Sequence, residues 1–333
     1  MINLAIIGCG GMSRAHTGRF SHGDRAKIVA TVDIDSERAQ AAAELFEGAR
    51  AETDYRKVLD DVDAALLVLP HHLHYPIGME CLSRGKHVML EKPMAISEQE
   101  CLELIDASEN AEKVLMIAYC QRFNPLIVRL KELMDERAYG DLFQLSIWTE
   151  QLTKYHPGHW ALSAKTLGGG QLFSHGCHYI DLLLWFLGRP IEGTHMGTNF
   201  GTPWMEREGT SNVAIRFEND ALGYHFGTWG ARGTRLKYSI HAHCTEAMVE
   251  AALTGGKVIV HKGSNEEVIM EASSAKHTAE EMGHFLDCIE QGTPPFTDGW
   301  SSLQGLRVIW RLYEAEENSS IADLRGCGIE DVV

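Results

Sequence analysis

The chain has 333 residues, of which 44% are hydrophobic and 23% are charged, and its formal net charge is −16. This length is large for a single core and favours two domains. The negative charge argues against nucleic acid and anionic membrane surfaces as partners, since both are bound through basic patches. No apolar run approaches the length of a membrane span. We therefore expect small-molecule partners, no nucleic acid and no membrane.

The N-terminus predicts a strand, a glycine-rich turn and a helix. Residues 3–7 form an apolar run of the buried-strand type, and a helical pattern follows at 13–20. Glycines at the first two fingerprint positions permit a tight turn and a close approach of backbone to a pyrophosphate. The third position is a serine, which is small enough for close packing of helix on strand. The candidate dinucleotide-binding residues of this turn are Gly8, Gly10, Gly11, Met12 and Ser13.

An acidic residue ends the second predicted strand, residues 27–33. Asp33 lies about twenty residues beyond the glycine turn, where a ribose-binding acid is expected. Its carboxylate accepts hydrogen bonds from ribose hydroxyls but repels a 2′-phosphate. We expect the nearest cation, Arg38, to lie a turn into the next helix. Asp33 therefore favours NAD, with NADP less favoured.

Histidines follow the third predicted strand, residues 64–69. Pro70, His71 and His74 come directly after this strand, so they are expected beside the cofactor. With His72 they also form a cluster that resembles a metal site. No cysteine or acidic residue stands at ligand spacing, so no metal is predicted.

The fourth predicted strand, residues 87–90, leads into Glu91-Lys92-Pro93. Ligands of open α/β sheets bind just outside the carboxyl ends of strands, so Lys92 is placed to meet one. Pro93 fixes its own φ and restricts the backbone of Lys92, which aims the side chain. The alternative is a strand followed by a solvated turn.

Residues 1–122 alternate between predicted strands and helices. The strands lie at 3–7, 27–33, 64–69, 87–90 and 114–118, and the helices lie at 13–20, 36–46, 55–60, 75–84 and 97–111. Regular alternation indicates a parallel, doubly wound sheet. We assign residues 1–122 to an α/β dinucleotide-binding domain of the Rossmann type.

After about residue 140 the sequence pattern changes to segments in which apolar and polar residues alternate with a period of two. They lie at 143–149, 213–217, 222–228, 237–242, 248–252 and 257–261. Such segments predict a large, mainly antiparallel open sheet with one face available for packing. Helices are predicted at 177–187 and 301–317, the latter as a candidate to pack back on the first domain. We assign residues 123–333 to an α+β domain for substrate binding and oligomerisation.

A glycine run precedes the helix at 177–187. Gly168, Gly169 and Gly170 predict a mobile or tightly turning loop, and the helix then presents His178 and Asp181 on one face. The carboxylate is placed to orient or charge-pair the imidazole. The alternative is that His178 caps or lines a core helix.

Together these segments resemble the glucose–fructose oxidoreductase/inositol dehydrogenase/rhizopine-catabolism family, often written Gfo/Idh/MocA. The resemblance covers nearly the full length and rests on residues 8–13 with His16, on 85–93, on 122–125 and on 168–181. It implies that Lys92 and His178 face the nicotinamide from opposite domains as the catalytic residues. We also predict cofactor contacts from Glu91 and Arg122, with a purely structural ion pair of Arg122 as the alternative.

The chain departs from the family at Ser174, where members commonly carry an aspartate. A serine cannot hold the negative charge that would raise the pKa of the imidazole.

The rings and polar groups that precede the glycine run are candidates for a sugar pocket, with Trp160 stacking on a pyranose face. A packed surface turn is an equal alternative. The candidate substrate contacts are Lys92, Asn124, His156, His159, Trp160, Ser174, His175 and His178.

These residues predict an NAD-dependent oxidoreductase that acts on a secondary hydroxyl of a sugar, polyol or glycoside. His178 would accept the hydroxyl proton and Lys92 would stabilise the developing alkoxide. One alternative is an NAD-dependent glycoside hydrolase that works by transient oxidation, elimination, hydration and reduction. A second is a catalytically silent dinucleotide sensor, against which the presence of both Lys92 and His178 argues.

Cysteine usage and the N-terminus bear on the compartment. No Cys-x-x-Cys pair occurs, and no basic leader or cleavage site precedes the first strand. We expect reduced thiols in a cytoplasmic protein, assembled as a homodimer or homotetramer. The cysteines are Cys9, Cys81, Cys101, Cys120, Cys177, Cys244, Cys288 and Cys327.

Overall fold

A computed structural model describes residues 1–329. Residues 330–333, which the sequence analysis assigns to the second domain, lie outside the described residues. The chain divides into two compact units. Unit 1 comprises Met1–Cys120 and Lys276–Leu303, and unit 2 comprises Gln121–Ala275 and the chain from Gln304 onward. Each unit thus joins two stretches of sequence, whereas the sequence analysis places one boundary after residue 122.

Unit 1 is built on a parallel sheet that has six strands in the described chain. They are β1 (Ile2–Ile7), β2 (Ala26–Val32), β3 (Arg50–Glu52), β4 (Ala64–Leu67), β5 (His87–Glu91) and β6 (Leu115–Ala118). Their spatial order is β3-β2-β1-β4-β5-β6. β4 is apolar and buried at every position, as is typical of a strand covered on both faces. The order reverses between β1 and β4, so their carboxyl ends flank the switch point at which such sheets bind ligands.

Helices connect these strands on both sides of the sheet. They are α1 (Ser13–Thr17), α2 (Ser36–Ala43), α3 (His74–Ser83) and α4 (Glu98–Asn110). Polar side chains define two of the starts: Asp35 accepts from the first amides of α2, and Ser97 accepts from the amide of Glu100 in α4.

Unit 2 is built on an open sheet of nine strands among the described residues. They are β7 (Leu142–Glu150), β8 (Pro190–Thr198), β9 (Thr210–Phe217), β10 (Leu222–Thr228), β11 (Tyr238–Cys244), β12 (Met248–Ala252), β13 (Lys257–Lys262), β14 (Asn265–Glu271) and β15 (Ala322–Asp323). The order is β14-β13-β12-β11-β7-β10-β9-β8-β15, and β7 with β10 is the parallel pair among otherwise antiparallel neighbours. Burial alternates along β9, as expected for a sheet with two different faces.

The remaining helices are α5 (Pro125–Asp135), α6 (Ala164–Leu167), α7 (Cys177–Leu187), α8 (Thr278–Gln291) and α9 (Gly299–Glu317). In unit 2, α5 packs against β12 and β13, and α7 packs against β7 and β10. In unit 1, α8 is tied to the region of α1, because the Thr278 hydroxyl donates to the carbonyl of Ala15 at 2.9 Å. α9 begins in unit 1 and continues in unit 2. Within residues 1–329, no helix has both the length and the apolar character needed to cross a bilayer.

The fold class predicted from the sequence is confirmed, with several differences in detail. The helix predicted at 55–60 is instead two 3₁₀ turns, Tyr55–Lys57 and Leu59–Asp61. A segment of six residues is too short to form a stable α-helix by itself. The strands and α-helices that were not predicted from the sequence are β3, β8, β14, β15, α5, α6 and α8.

Candidate functional site

The glycine turn after β1 is tight on its strand side and open on the other. Gly8 has a φ of +97°, and a Cβ atom there would lie 2.0 Å from the carbonyl oxygen of Val68, so no larger residue fits. The amide of Gly8 donates to the carbonyl of Val32 at 2.7 Å. A Cβ atom at Gly10 or Gly11 would meet nothing within 4 Å. A ligand can therefore approach the backbone at these two glycines.

Met12 and Ser13 join this turn to α1. Ser13 begins the helix and is buried, as close packing of helix on sheet requires. The sulfur of Met12 lies 2.9 Å from the ammonium nitrogen of Lys276. Lys276 immediately precedes the segment that leads into α8, and it brings a positive charge to the glycine turn.

Asp33 follows β2 and is fixed by several donors. Its Oδ2 accepts from the amide of Cys9 at 2.9 Å, and its Oδ1 accepts from the amide of Asp35 at 2.9 Å. The guanidinium of Arg38 also donates to Oδ1, at 2.9 Å. Arg38 lies in the first turn of α2, the helix in which it was predicted, and its side chain reaches back to the carboxylate. Asp33 is thus a rigid acceptor with a cation beside it.

Glu91 ends β5 and is buried against His16. The Nε2 atom of His16 lies 2.9 Å from Oε1 of Glu91, and Oε2 accepts from the amide of Lys92 at 3.3 Å. Burial opposes ionisation of Glu91, but the hydrogen bond and charge of His16, with Lys92 and Lys276, hold the pKa of this carboxyl below its usual value. An anion therefore lies beside the half-buried Lys92.

His74 connects the carboxyl ends of two strands. Its Nδ1 lies 2.7 Å from the carbonyl oxygen of Pro93, and its Nε2 lies 2.9 Å from that of Leu69. The ring is fully buried, and burial lowers its pKa although both carbonyls oppose this. The ring of His71, also buried, lies 5.6 Å away. His74 therefore braces the turn that contains Lys92 against the segment that begins with Pro70.

Unit 1 also contains a buried acid that sequence reasoning missed. Glu281 in α8 is completely buried, and neither carboxyl oxygen has a hydrogen-bond partner among the described residues. Burial, and then the charge of Glu91, raise the pKa of Glu281 well above its usual value. A sequence signal existed, because Glu281 occupies the same helical stripe as the buried Thr278, Met282 and Phe285.

In unit 2, Asp181 pairs with Arg122 and not with His178. The Nε and Nη2 atoms of Arg122 donate to the two carboxylate oxygens at 2.7 Å and 2.6 Å, and both side chains are buried. The sequence analysis expected this carboxylate to be placed for the imidazole. The guanidinium presents a planar fork that matches both oxygens at once, which an imidazole cannot do.

His178 is the second residue of α7 and is buried, with Ser174 also buried in the π-helical turn Leu172–Gly176 before it. The ring of His175 lies 6.4 Å from that of His178 and 5.8 Å from that of Tyr238 on β11. The structure therefore brings these predicted residues together beside a strand residue that the sequence did not single out.

A second buried histidine supports this helix from the sheet. His225 on β10 stacks on Tyr179 with ring centroids 5.2 Å apart, and its Nε2 lies 3.2 Å from the hydroxyl of Thr149. Burial lowers the pKa of His225 to about 3, so the ring is neutral. Only its place on a period-two strand with a buried face hinted at this role.

The predicted sugar-pocket residues form an aromatic cluster in unit 2. The rings of Tyr155 and His159 stack at 4.4 Å, and His159 accepts from the amide of Ala161 at 3.1 Å. Trp160 is half-buried against the core formed by Ala161, Leu167, Met205 and Trp229. His156 is exposed at the edge of this cluster.

Asn124 begins α5. Its side-chain oxygen accepts from the amide of Leu126 at 3.0 Å, and Pro125 occupies the first helical position. This pattern is a readable helix start.

Two family models match this chain. One, described as an oxidoreductase family with an NAD-binding Rossmann fold, matches residues 2–119. The other, described as the GFO/IDH/MocA C-terminal domain, matches residues 127–250. Together they cover most of the chain. This chain belongs to the Gfo/Idh/MocA oxidoreductase family.

Several proteins similar to this chain are dehydrogenases by name. Inositol 2-dehydrogenase 2 of Saccharopolyspora erythraea is 29% identical over 66% of this chain and 65% of its own length, slightly under two thirds. D-xylose 1-dehydrogenase [NADP(+)] of Haloarcula marismortui is 24% identical over 97% of this chain and 93% of its own. Among solved structures, levoglucosan dehydrogenase in complex with NADH matches with a TM-score of 0.86 at 20% identity, covering 97% of this chain and 99% of that one. At this identity the likeness concerns the fold.

The predicted family is confirmed, and the model that matches residues 2–119 describes an oxidoreductase family with an NAD-binding Rossmann fold. Nothing in the relatives' names favours the hydrolase alternative. The roles of the individual residues stay predictions.

Proposed function

We propose that this Gfo/Idh/MocA protein is an NAD-dependent oxidoreductase that transfers a hydride between nicotinamide and a secondary hydroxyl, or the matching ketone, of a sugar, polyol or glycoside. The observation that carries the proposal is one edge of the unit 1 sheet. The open glycine turn, Asp33 and Lys92 follow the carboxyl ends of β1, β2 and β5, strands of one parallel sheet. The substrate class is supported by the names of the inositol and D-xylose dehydrogenases.

The residues at this edge fit a dinucleotide. The backbone at Gly10 and Gly11 is open to a pyrophosphate, and Asp33 is a fixed acceptor for ribose hydroxyls. When bound, NAD would supply the hydride acceptor. Pro70, His71, His74, Glu91 and Arg122 remain predicted cofactor contacts.

The chemistry requires a base for the hydroxyl proton and a cation for the developing alkoxide. We assign the first role to the imidazole of His178 and the second to the ammonium of Lys92. A charge-assisted hydrogen bond from Lys92 is worth a few kcal/mol, roughly, where water is excluded. Ser174 brings no negative charge to the imidazole of His178, unlike the aspartate that members of the family commonly carry there.

Substrate binding is assigned to unit 2. The rings of the aromatic cluster offer apolar faces to a sugar, and the imidazoles and hydroxyls offer hydrogen bonds to its oxygens. The proposed contacts, with Lys92 and His178, are Asn124, His156, His159, Trp160, Ser174 and His175.

We propose NAD as the preferred cofactor because Asp33 repels a 2′-phosphate. Arg38 reduces this repulsion, since its guanidinium lies 2.9 Å from the same carboxylate. One relative is named for NADP(+). The preference for NAD therefore depends on the balance between the charges of Asp33 and Arg38, and NADP binding is weakened rather than excluded.

We further propose a cytoplasmic homodimer or homotetramer. Ile147, His225, Ile240 and Ala251 are paired across four strands and buried on the face where α5 and α7 pack. On the other face, Trp148, Tyr224 and His241 are only half-buried, which leaves area for a second copy. Light scattering after size-exclusion chromatography tests the assembly.

The proposed activity is tested by incubating the protein with NAD or NADP and a panel of substrates, and measuring NADH absorbance. The panel contains inositols, D-xylose, levoglucosan, and aryl glycosides whose aglycone is coloured. We expect accumulation of NADH with at least one sugar or polyol. Release of aglycone without NADH would contradict the proposal and favour the hydrolase.

A further inference from the structure

The strongest unexplained feature of unit 2 is a polar bracket around the start of the helical segment that carries His178. The bracket consists of Glu208, in the loop before β9, and Tyr313, in α9. We propose that Glu208 and Tyr313 are positioning residues for His178, acting through the backbone amides of residues 170–173. This inference rests on the proposed function, because it concerns the residue assigned there as the base.

The bracket binds four consecutive backbone amides. The hydroxyl of Tyr313 accepts from the amides of Gly170 and Phe173, both at 3.2 Å, and donates to Oε1 of Glu208 at 2.7 Å. The same Oε1 accepts from the amide of Leu172 at 3.2 Å. The amide of Gln171 donates to the backbone carbonyl of Glu208 at 2.8 Å.

These four amides have no other way to be satisfied within the segment. The first amides of a helix lack intrahelical acceptors, and a side chain at the N-cap normally supplies one. Here the N-cap position is Gln171, and its side chain makes no capping hydrogen bond. Glu208 and Tyr313, which are distant in sequence, therefore cap this helical segment in place of a local serine or aspartate.

The bracket also explains the glycine run. A Cβ atom at Gly170 would lie 2.0 Å from Oε2 of Glu208, and a Cβ atom at Gly169 would lie 2.5 Å from Cβ of Phe173 and 3.2 Å from the ring of Tyr313. A larger residue at Gly170 would force the Glu208 carboxylate to move, and one at Gly169 would collide with Phe173 and crowd the ring of Tyr313. Of the two alternatives that the glycine run predicts, a mobile loop or a tightly turning one, the contacts at Gly169 and Gly170 favour the second.

The bracket is adjacent to the proposed base along the chain. The π-helical turn Leu172–Gly176 passes directly into α7, and His178 is the second residue of that helix. The amide of Ser174 donates back to the carbonyl of Gly170 at 3.0 Å, so residues 170–178 form one continuous hydrogen-bonded segment. Farther along, α7 is held independently by Asp181 and Arg122. Loss of the bracket is therefore expected to displace His178 without unfolding α7.

Other charged groups lie near the bracket. The guanidinium of Arg207 is 5.4 Å from the centre of the Tyr313 ring, and the ring of His195, which pairs with Glu316, is 5.2 Å away. These groups stay in place when only the Tyr313 hydroxyl is removed, so that change isolates the hydrogen bonds.

The test uses Tyr313→Phe in the full-length protein, with Tyr224→Phe as the matched control. Tyr224 also donates through its hydroxyl, to Asn212 at 2.8 Å, but lies outside the bracket. Hydrogen exchange is measured first, without cofactor. We expect exchange of the amides in residues 170–178 to increase at least about tenfold in Tyr313→Phe, because the amides of Gly170 and Phe173 lose their acceptor, and to be unchanged in Tyr224→Phe.

Kinetics then separate positioning from stability. We expect Tyr313→Phe to lower kcat by about a hundredfold, the size associated with a misplaced reacting group, to shift the midpoint of the pH–rate profile, and to leave the Kd of NAD unchanged. Glu208→Gln retains an acceptor oxygen and should restore most of the kcat that Glu208→Ala loses.

Each outcome decides the proposal. If hydrogen exchange of residues 170–178 is unchanged in Tyr313→Phe, the bracket does not hold this segment, whatever the value of kcat. Faster exchange with unchanged kcat and pH profile overturns its role in placing His178. If no substrate reduces NAD in the wild type while exchange still increases in Tyr313→Phe, the proposed function fails and the bracket stands.

Discussion

The proposed catalytic residues of the two units are held by different kinds of contact. Lys92 directly follows β5, a strand whose position is set by apolar pairing with β4 and β6. His178 lies in a helical segment held by individual polar side chains, Tyr313, Glu208 and Arg122. The sheet edge distributes its support over many backbone hydrogen bonds, whereas the helix start concentrates it in a few. Single polar substitutions should therefore disturb the surroundings of His178 more than those of Lys92.

The largest effect is expected at Lys92 itself. Lys92→Met should lower kcat on the order of a thousandfold, because it removes the cation that stabilises the developing alkoxide, and should leave the Kd of NAD nearly unchanged. Steady-state kinetics and cofactor titration measure both. Lys86→Met, in the turn before β5, is the control and should behave as wild type. Near-normal turnover in Lys92→Met would show that Lys92 has no role in the reaction and that Glu91-Lys92-Pro93 is only a structural turn.

The second effect concerns the ionisation of the base. Oxidation should rise with pH as His178 becomes neutral, and His178→Ala should remove this ionisation and lower kcat by about 10²–10⁴-fold. Ser174→Asp adds a negative charge near the imidazole, which stabilises its protonated form and should move the midpoint upward. A pH–rate profile that is the same in His178→Ala as in the wild type would assign the base elsewhere, with His156, His159 or Tyr179 next to test.

The third prediction compares two ion pairs of unit 2. Asp181→Asn leaves the buried Arg122 without its counter-charge and should destabilise the protein by about 3–5 kcal/mol. Glu192→Gln breaks the exposed pair with Arg216, in which each side chain is 47% exposed, and should cost less than about 1 kcal/mol. Denaturant unfolding of both variants checks the difference. If both variants lose the same free energy of unfolding, the Arg122–Asp181 pair does not stabilise α7.

A smaller effect is expected for cofactor choice. Asp33→Ala should weaken NAD by about tenfold and relax its preference over NADP, since the carboxylate both binds the ribose and repels the phosphate. Arg38→Ala should instead strengthen the preference for NAD. Fluorescence titration of both cofactors measures the change. If the wild-type protein binds NADP as tightly as NAD, the assignment of Asp33 to the ribose is wrong.

The smallest effect concerns the buried acid of unit 1. Because folding raises the pKa of Glu281, the stabilisation is fully present below the ordinary glutamate pKa of 4.5 and is lost as the pH rises through the folded pKa. Glu281→Gln has no proton to lose, so its Tm relative to wild type should rise with pH, by about 2–4 °C. Thermal melts at several pH values above 5 provide the measurement. A Tm difference that does not change with pH would show that Glu281 ionises normally.

Much of unit 1 could be predicted because its signals are local. Strand and helix alternation gave the sheet, and the glycine turn, Asp33 and Lys92 all follow strand ends. α5 was missed although Asn124, Pro125 and its apolar stripe were readable. β14 was missed because its residues are largely exposed and charged and do not alternate.

The contacts of unit 2 could not be predicted in the same way. The hydroxyl of Tyr313 meets the amide of Gly170 across 143 residues of sequence, and Arg122 meets Asp181 across 59. Nothing in the local pattern distinguishes Arg122 from His178 as the partner of Asp181. Only the folded chain decides between them, since the choice depends on which group presents matching geometry.

The transfer of the hydride itself is the most direct test of the account. The panel substrate that gives the fastest NADH formation is prepared with deuterium at the oxidised carbon, and the products are analysed by mass spectrometry and NMR. The account predicts that deuterium moves to the nicotinamide, with one ketone formed for each NADH and a slowed rate. Deuterium that is lost to water, or product formed without net NADH, would contradict it.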